Sequence, residues 1–202
     1  MRVTAHRHVI LGLSLIGVGL LLLAISPLYV RISNDRAAES AENLREEITS
    51  TWSTAGSVPI QVLDDSALLF IPKIGVWGVP IVAGVDEQAL ATGVGRYPTA
   101  PSPGQPGNFA LAGHRTANGE PFADIDELAA GDVVIVRTRH ATYRYRLIDD
   151  VVVEPDETWV IGDVTGRLDL QANSSVISLI TCSPKWSTDK RWVWWGSLVD
   201  EA

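Results

Sequence analysis

Residues 9–30, VILGLSLIGVGLLLLAISPLYV, run for 22 positions without a charged side chain. About 20 apolar residues at a rise of about 1.5 Å each span the hydrocarbon core of a bilayer, so this stretch predicts a membrane-crossing helix. It is longer than the core of a secretory signal, and no clear small-x-small cleavage pattern follows it; a cleaved signal is the alternative. Its apolar character goes all the way round, which a buried core helix with one packed face would not need. Arg2 and Arg7 precede the run, whereas only Arg31 flanks the other end before acidic residues take over. The excess of basic residues ahead of the span predicts a cytoplasmic N-terminus and an exported remainder. The organisation expected is a cytoplasmic tail at 1–8, an anchor at 9–30, a stalk and linker at 31–57, and an extracellular folded domain at 58–202.

A chain of 202 residues leaves room for one ordinary domain beside those appendages. Sixteen basic against 24 acidic residues give a formal charge of −8, which argues against nucleic acid as a partner. A single cysteine excludes an internal disulfide framework and any Cys-rich zinc site. Of four histidines, His6 and His8 lie in the N-terminal tail, too few remaining for a metal cage. No glycine-rich phosphate or dinucleotide loop is present, so nucleotide chemistry and a bound cofactor are not expected.

After the anchor, residues 34–51 are rich in Ala and Glu, with Leu44 and Ile48 one helical turn apart, and predict a polar helical stalk. Residues 53–59, STAGSVP, read as a linker. From there the texture changes to short β-type runs broken by Gly and Pro. Residues 67–74 and 76–85 are two such runs, with Pro72 and Pro80 marking edges or bends. Residues 91–107 read as a loop, 108–113 as a short buried strand, and 121–128 as one or two helical turns. Residues 132–153 carry the clearest hairpin, alternating aromatic and polar side chains on its return limb. Runs at 175–181 and 192–199 complete a count of seven or eight strands with little helix, which suits a mainly β barrel or sandwich.

Three residue types at strand ends carry candidate chemistry. Cys182 follows the apolar run SLIT and precedes Ser183-Pro184, where a strand must stop. Its readings are a buried inert thiol, an intermolecular partner, or a nucleophile held on a rigid element. His114 ends a second apolar run, NFALAGH, and suits either a loop hydrogen bond or general acid/base work. Arg191 precedes the WVWW run, and a permanently charged guanidinium there can stabilise an oxyanion. His140 lies in the hairpin turn, where a solvated role is expected.

The segments NFALAGHRTANGEPF (residues 108–122) and SLITCSP (residues 178–184), with Arg191 nine residues after Cys182, resemble the signatures of sortases, the cell-wall transpeptidases of Gram-positive bacteria. The resemblance covers residues 68–199 and is most like the class E form of actinobacteria. One departure is Ser178, where the family's TLxTC has Thr; a hydroxyl is kept. No convincing Asp-Pro-aromatic lid motif precedes the barrel, which argues against the pilin-polymerising class.

The resemblance implies a sortase-type eight-stranded β-barrel in which Cys182 attacks the Thr–Gly carbonyl of a C-terminal LAxTG- or LPxTG-like sorting signal, forming a thioester. His114 then serves the leaving and incoming amines, and Arg191 serves the oxyanion or the substrate backbone. The partners implied are secreted proteins bearing sorting signals, and a cell-wall precursor amine (lipid II) or a pilin lysine as acceptor. Thr181 and Trp186 are candidate substrate contacts, each also readable as packing. A calcium site occurs in some sortases, but the acidic cluster Asp124, Asp126, Glu127 lacks ion-loop spacing, so no metal is expected. Alternatives are a pilin-polymerising sortase, a cysteine hydrolase that passes the acyl group to water, and an inactive wall-binding scaffold.

Overall fold

The computed structural model describes residue 29, residues 31–53 and residues 66–202. The expected anchor therefore lies outside the described residues except for Tyr29, and so does the linker after Ser53. Among the described residues no helix is long and apolar enough to cross a membrane.

Residues 31–53 form one helix, α1. It is not a free-standing stalk. Ala37 and Ile48 are buried, and Ala41, Leu44 and Arg45 share their stripe at helical spacing. Polar contacts fasten α1 to the rest of the molecule, among them Ser33 Oγ to Asn118 Oδ1 (3.1 Å), Asn34 Nδ2 to Glu120 Oε1 (2.7 Å), Arg45 Nη1 to the Trp77 carbonyl (3.4 Å) and Trp52 Nε1 to Ser66 Oγ (3.1 Å).

Eight strands follow: β1 (Ala67–Ile71), β2 (Val76–Ala83), β3 (Val94–Arg96), β4 (Gly107–Ala112), β5 (Val133–Thr138), β6 (Thr142–Val153), β7 (Ser175–Ser183) and β8 (Lys190–Glu201). They close into a barrel in the order β1-β2-β3-β4-β7-β8-β6-β5, so the mainly β barrel expected from the strand count is observed. Closure gives every strand a neighbour on both sides. β2 pairs with β3, and β4 with β7, in parallel; the other pairs are antiparallel. Pro72 ends the first run, and Pro72–Ile74 turn as a 3-10 helix. The expected loop at 91–107 contains the three-residue β3, preceded by a single-turn helix, α2 (Glu87–Leu90).

Alternation along the strands sorts side chains into two layers. Leu69, Phe109, Leu111, Val134, Tyr145, Ile177, Leu179 and Trp194 fill the barrel interior. Their neighbours Ala110, Val176, Ile180, Val193 and Trp195 point outward, yet they too are buried, beneath Val160, Val164 and Leu168 of the long β6–β7 connection. That second layer explains why β7 reads as a continuous apolar run instead of an alternating one: both its faces are covered.

Candidate active site

The site is built by register. β7 and β8 pair so that Cys182 stands opposite Arg191. β4 and β7 run parallel with Ala112 beside Ile180, and the Gly113 N–H continues the ladder to the Ile180 carbonyl at 3.0 Å. Extending that register by two residues sets His114 abreast of Cys182. Neighbouring strands lie about 4.8 Å apart, so residues 114, 182 and 191 occupy adjacent backbone places in one row. They point outward, on the face that carries Ala110, Ile180 and Val193, so the row lies on the outer wall of the barrel and not in its mouth.

Gly113 makes the row possible. A Cβ there would stand 2.7 Å from the ring of Phe122, a fully buried side chain, so only glycine lets the chain leaving β4 pass so close. The same residue is held from below, where Thr181 Oγ1 donates to its carbonyl at 2.7 Å. Thr181 is buried on the interior face, opposite the thiol. It is therefore a contact that positions the β4–β7 pair, and its reading as a substrate contact gives way.

Cys182 is a free, half-buried thiol. His114 is half-buried as well, and its Nε2 is buried without a hydrogen-bond partner. Desolvation lowers the imidazole pKa from the ordinary histidine value, and the carboxylate of Glu87 on α2 pulls it part of the way back. A neutral imidazole near a half-exposed thiol is a ready proton acceptor. Arg191 Nη1 donates to the carbonyls of Thr188 (2.9 Å) and Lys190 (3.0 Å), which ties its side chain to the β7–β8 turn. Its charge also acts on the phenol of Tyr97, whose pKa burial raises and Arg191 lowers.

One wall beside the row is the β6–β7 connection, and a buried amide fixes it. Asn108 Nδ2 donates to the carbonyls of Val160 (3.1 Å) and Gly162 (3.0 Å), while its Oδ1 accepts from Ser178 Oγ (2.6 Å). The Arg167 guanidinium packs 4.6 Å over the Trp159 ring and 5.7 Å from that of Trp195. The connection is irregular in backbone but anchored in place.

The structure thus brings together His114, Cys182 and Arg191. Trp186 is 72% exposed in the turn after Cys182, on the same end of β7. Of the other tryptophans near it in sequence, Trp194 and Trp195 are buried packing residues. His140 sits exposed in the β5–β6 turn, away from the row. Asp126 and Asp124 are engaged by Arg115 and Lys185. Among the described residues no group of three or more His, Cys, Asp or Glu side chains is gathered as metal ligands. Tyr97, Asn108 and Arg115 were not legible as site residues: an aromatic in a Pro-rich loop, a polar residue at the head of a β-run and a basic one in the loop after it carry no spacing signal.

Residues 69–199 match the sortase domain family. The chain is similar to sortase SrtE1 of Streptomyces coelicolor, with 31% identity over 98% of this chain and 58% of that protein, so it spans less than two thirds of that relative. The crystal structure of sortase E1 from S. coelicolor with a tripeptide in the active site superposes with a TM-score of 0.62 at 32% identity, covering 67% of this chain and 88% of that one. A Clostridium perfringens sortase D5 transpeptidase superposes with a TM-score of 0.64 at 26% identity, covering 80% and 99%.

Proposed function

The chain belongs to the sortase family, and we propose that it is a class E-like cysteine transpeptidase, anchored by residues 9–30 with its catalytic domain (residues 58–202) outside the cell. The observation that carries this reading is the row itself: thiol, imidazole and guanidinium on three neighbouring chain segments of one barrel face.

In this reading the Cys182 thiol gives its proton to the neutral His114 imidazole as its sulfur attacks the carbonyl carbon between Thr and Gly of an LAxTG- or LPxTG-like sorting signal. A C–S bond forms, the carbonyl electrons move onto oxygen, and Arg191 faces the resulting charge or holds the substrate backbone. Collapse of the tetrahedral centre expels the glycine amine, which takes a proton from His114. The thioester left on Cys182 keeps the acyl group activated, so an incoming amine can displace the sulfur while giving its proton to His114. No nucleotide is needed, because the energy of the cleaved peptide bond is carried in the thioester. The acceptor is a cell-wall precursor amine, and the clients are secreted proteins with the signal at their C-terminus. The tripeptide in the active site of the S. coelicolor relative supports a peptide as the ligand of this face.

The test is cleavage of a fluorogenic LAxTG peptide by the detergent-solubilised full chain, with product analysis in the presence and absence of an added amine. Wild type is expected to give a Cys182-linked thioester and, with amine, the transfer product; Cys182→Ala is expected to give neither. Unchanged cleavage by Cys182→Ala overturns the reading, and hydrolysis alone at saturating amine replaces transpeptidase with hydrolase.

A further inference from the structure

One buried charge behind the site is not explained by packing. Arg115 directly follows His114 and is only 5% exposed. Its Nη2 donates to Asp126 Oδ1 at 2.6 Å, its guanidinium lies 5.2 Å over the ring of Trp192, and its Nε is buried with no partner. A guanidinium taken out of water with a donor unpaired is unfavourable, and an apolar side chain would fill the same space at less cost.

Its neighbour supplies a use. The His114 Nε2 is buried without a hydrogen-bond partner, and hydrogen bonds hold the residue through the backbone that carries it. That backbone is pinned before the ring by both polar groups of Gly113, and at the ring by the Phe122 N–H, which donates to the His114 carbonyl at 3.1 Å. After the ring, the side-chain anchor is Arg115, whose guanidinium lies over Trp192, the register partner of the buried Thr181. The acid that receives it belongs to a short turn whose centre, Ile125, is fully buried. The same turn reaches the other half of the site: Lys185 Nζ, three residues past Cys182, pairs with Asp124 Oδ1 at 3.3 Å.

We propose that Arg115 and Asp126 are positioning residues for the His114 imidazole, the turn at residues 124–127 bracing the chain that leaves His114 against the chain that leaves Cys182. The proposal rests on the roles given above to those two residues. Asp126 acts through Arg115 and not on the substrate. Its loss therefore loosens the ring relative to the thiol without altering peptide binding.

The experiment compares full-length wild type with Asp126→Asn, Asp126→Glu and Asp124→Asn. Asp200→Asn serves as a control because it breaks an ion pair of equal length, Arg144–Asp200 at 2.6 Å, at the far end of β8. Sorting-peptide kcat and KM, and the alkylation rate of Cys182 by iodoacetamide, are measured on each. Asp126→Asn is expected to lower kcat about tenfold with KM within about twofold, since a small misplacement of a reacting group costs rate more than binding. Cys182 stays fully alkylatable in that variant, Asp126→Glu recovers most of the rate, and Asp124→Asn gives a smaller loss. Asp200→Asn leaves kcat and KM unchanged. Wild-type kcat in Asp126→Asn, a loss not recovered by glutamate, or a loss of the same size in Asp200→Asn overturns the proposal. Retained cleavage in His114→Ala or Cys182→Ala strikes the parent assignment instead, so the two failures are told apart.

Discussion

Thr181 and Cys182 are consecutive in β7, yet they belong to different parts of the molecule. The threonine is buried in the interior and spends its hydroxyl on the Gly113 carbonyl. The cysteine is half-buried on the outer wall, facing the row that includes Arg191. The difference teaches how a strand divides its labour. A period of two gives one face to the scaffold and the other to chemistry, and the two can be altered separately. β7 carries this further than an ordinary half-buried strand because its outer face is itself roofed up to Ile180 and opens only at Cys182.

Substitutions on the two faces sharpen that contrast, beginning with the outer one. Cys182→Ala is expected to lower turnover by about 10⁴-fold or more, as loss of a covalent nucleophile does, while its melting temperature stays close to wild type. A melting temperature well below wild type would show that the outer face also bears load. Arg191→Ala is expected to lower kcat about 10²-fold through loss of a charge donor to the oxyanion, with folding again little changed. A KM effect alone would place the guanidinium on the substrate backbone.

On the inner face the signs reverse. Thr181→Val removes one buried hydrogen bond at nearly constant shape. It is expected to destabilise by about 1 kcal/mol in denaturant unfolding and to change kcat only severalfold. A loss of rate as large as that of Arg191→Ala would erase the distinction between the faces. The smallest effect is electrostatic. Glu87 raises the His114 pKa against the lowering by burial, so Glu87→Gln moves the imidazole inflection further down, read by NMR titration with His114→Gln for assignment. The acid limb of the activity profile, below which the neutral imidazole is lost, then shifts to more acidic pH. An inflection that rises or does not move means the carboxylate does not act on the ring.

What could be read in the sequence follows the same division. The three residues of the row stood out in the sequence because they flank apolar runs: His114 after NFALAG, Cys182 after SLIT, Arg191 before WVWW. The barrel was legible from short β-runs with turn residues between them. The strands do extend beyond the expected stops, since β7 reaches Ser183 and β8 begins at Lys190, which places Cys182 and Arg191 inside the ladder. β3 was hidden because three residues in a Gly/Pro-rich segment show no period. The docking of α1 was hidden because its buried stripe begins with alanine, which a polar helix also contains. The outer layer was hidden because Val160, Val164 and Leu168 lie in irregular backbone, where burial follows Asn108 and not a repeat.

The parallel pairing of β4 with β7 carries a consequence in time. His114 and Cys182 are 68 residues apart along the chain, and only the closed ladder makes them neighbours. Contacts of such long sequence separation form late and slowly, after a large loop has been closed. A chain whose barrel has not yet closed therefore carries Cys182 with no imidazole beside it. On the function proposed above, reactivity arrives only when the barrel zips shut.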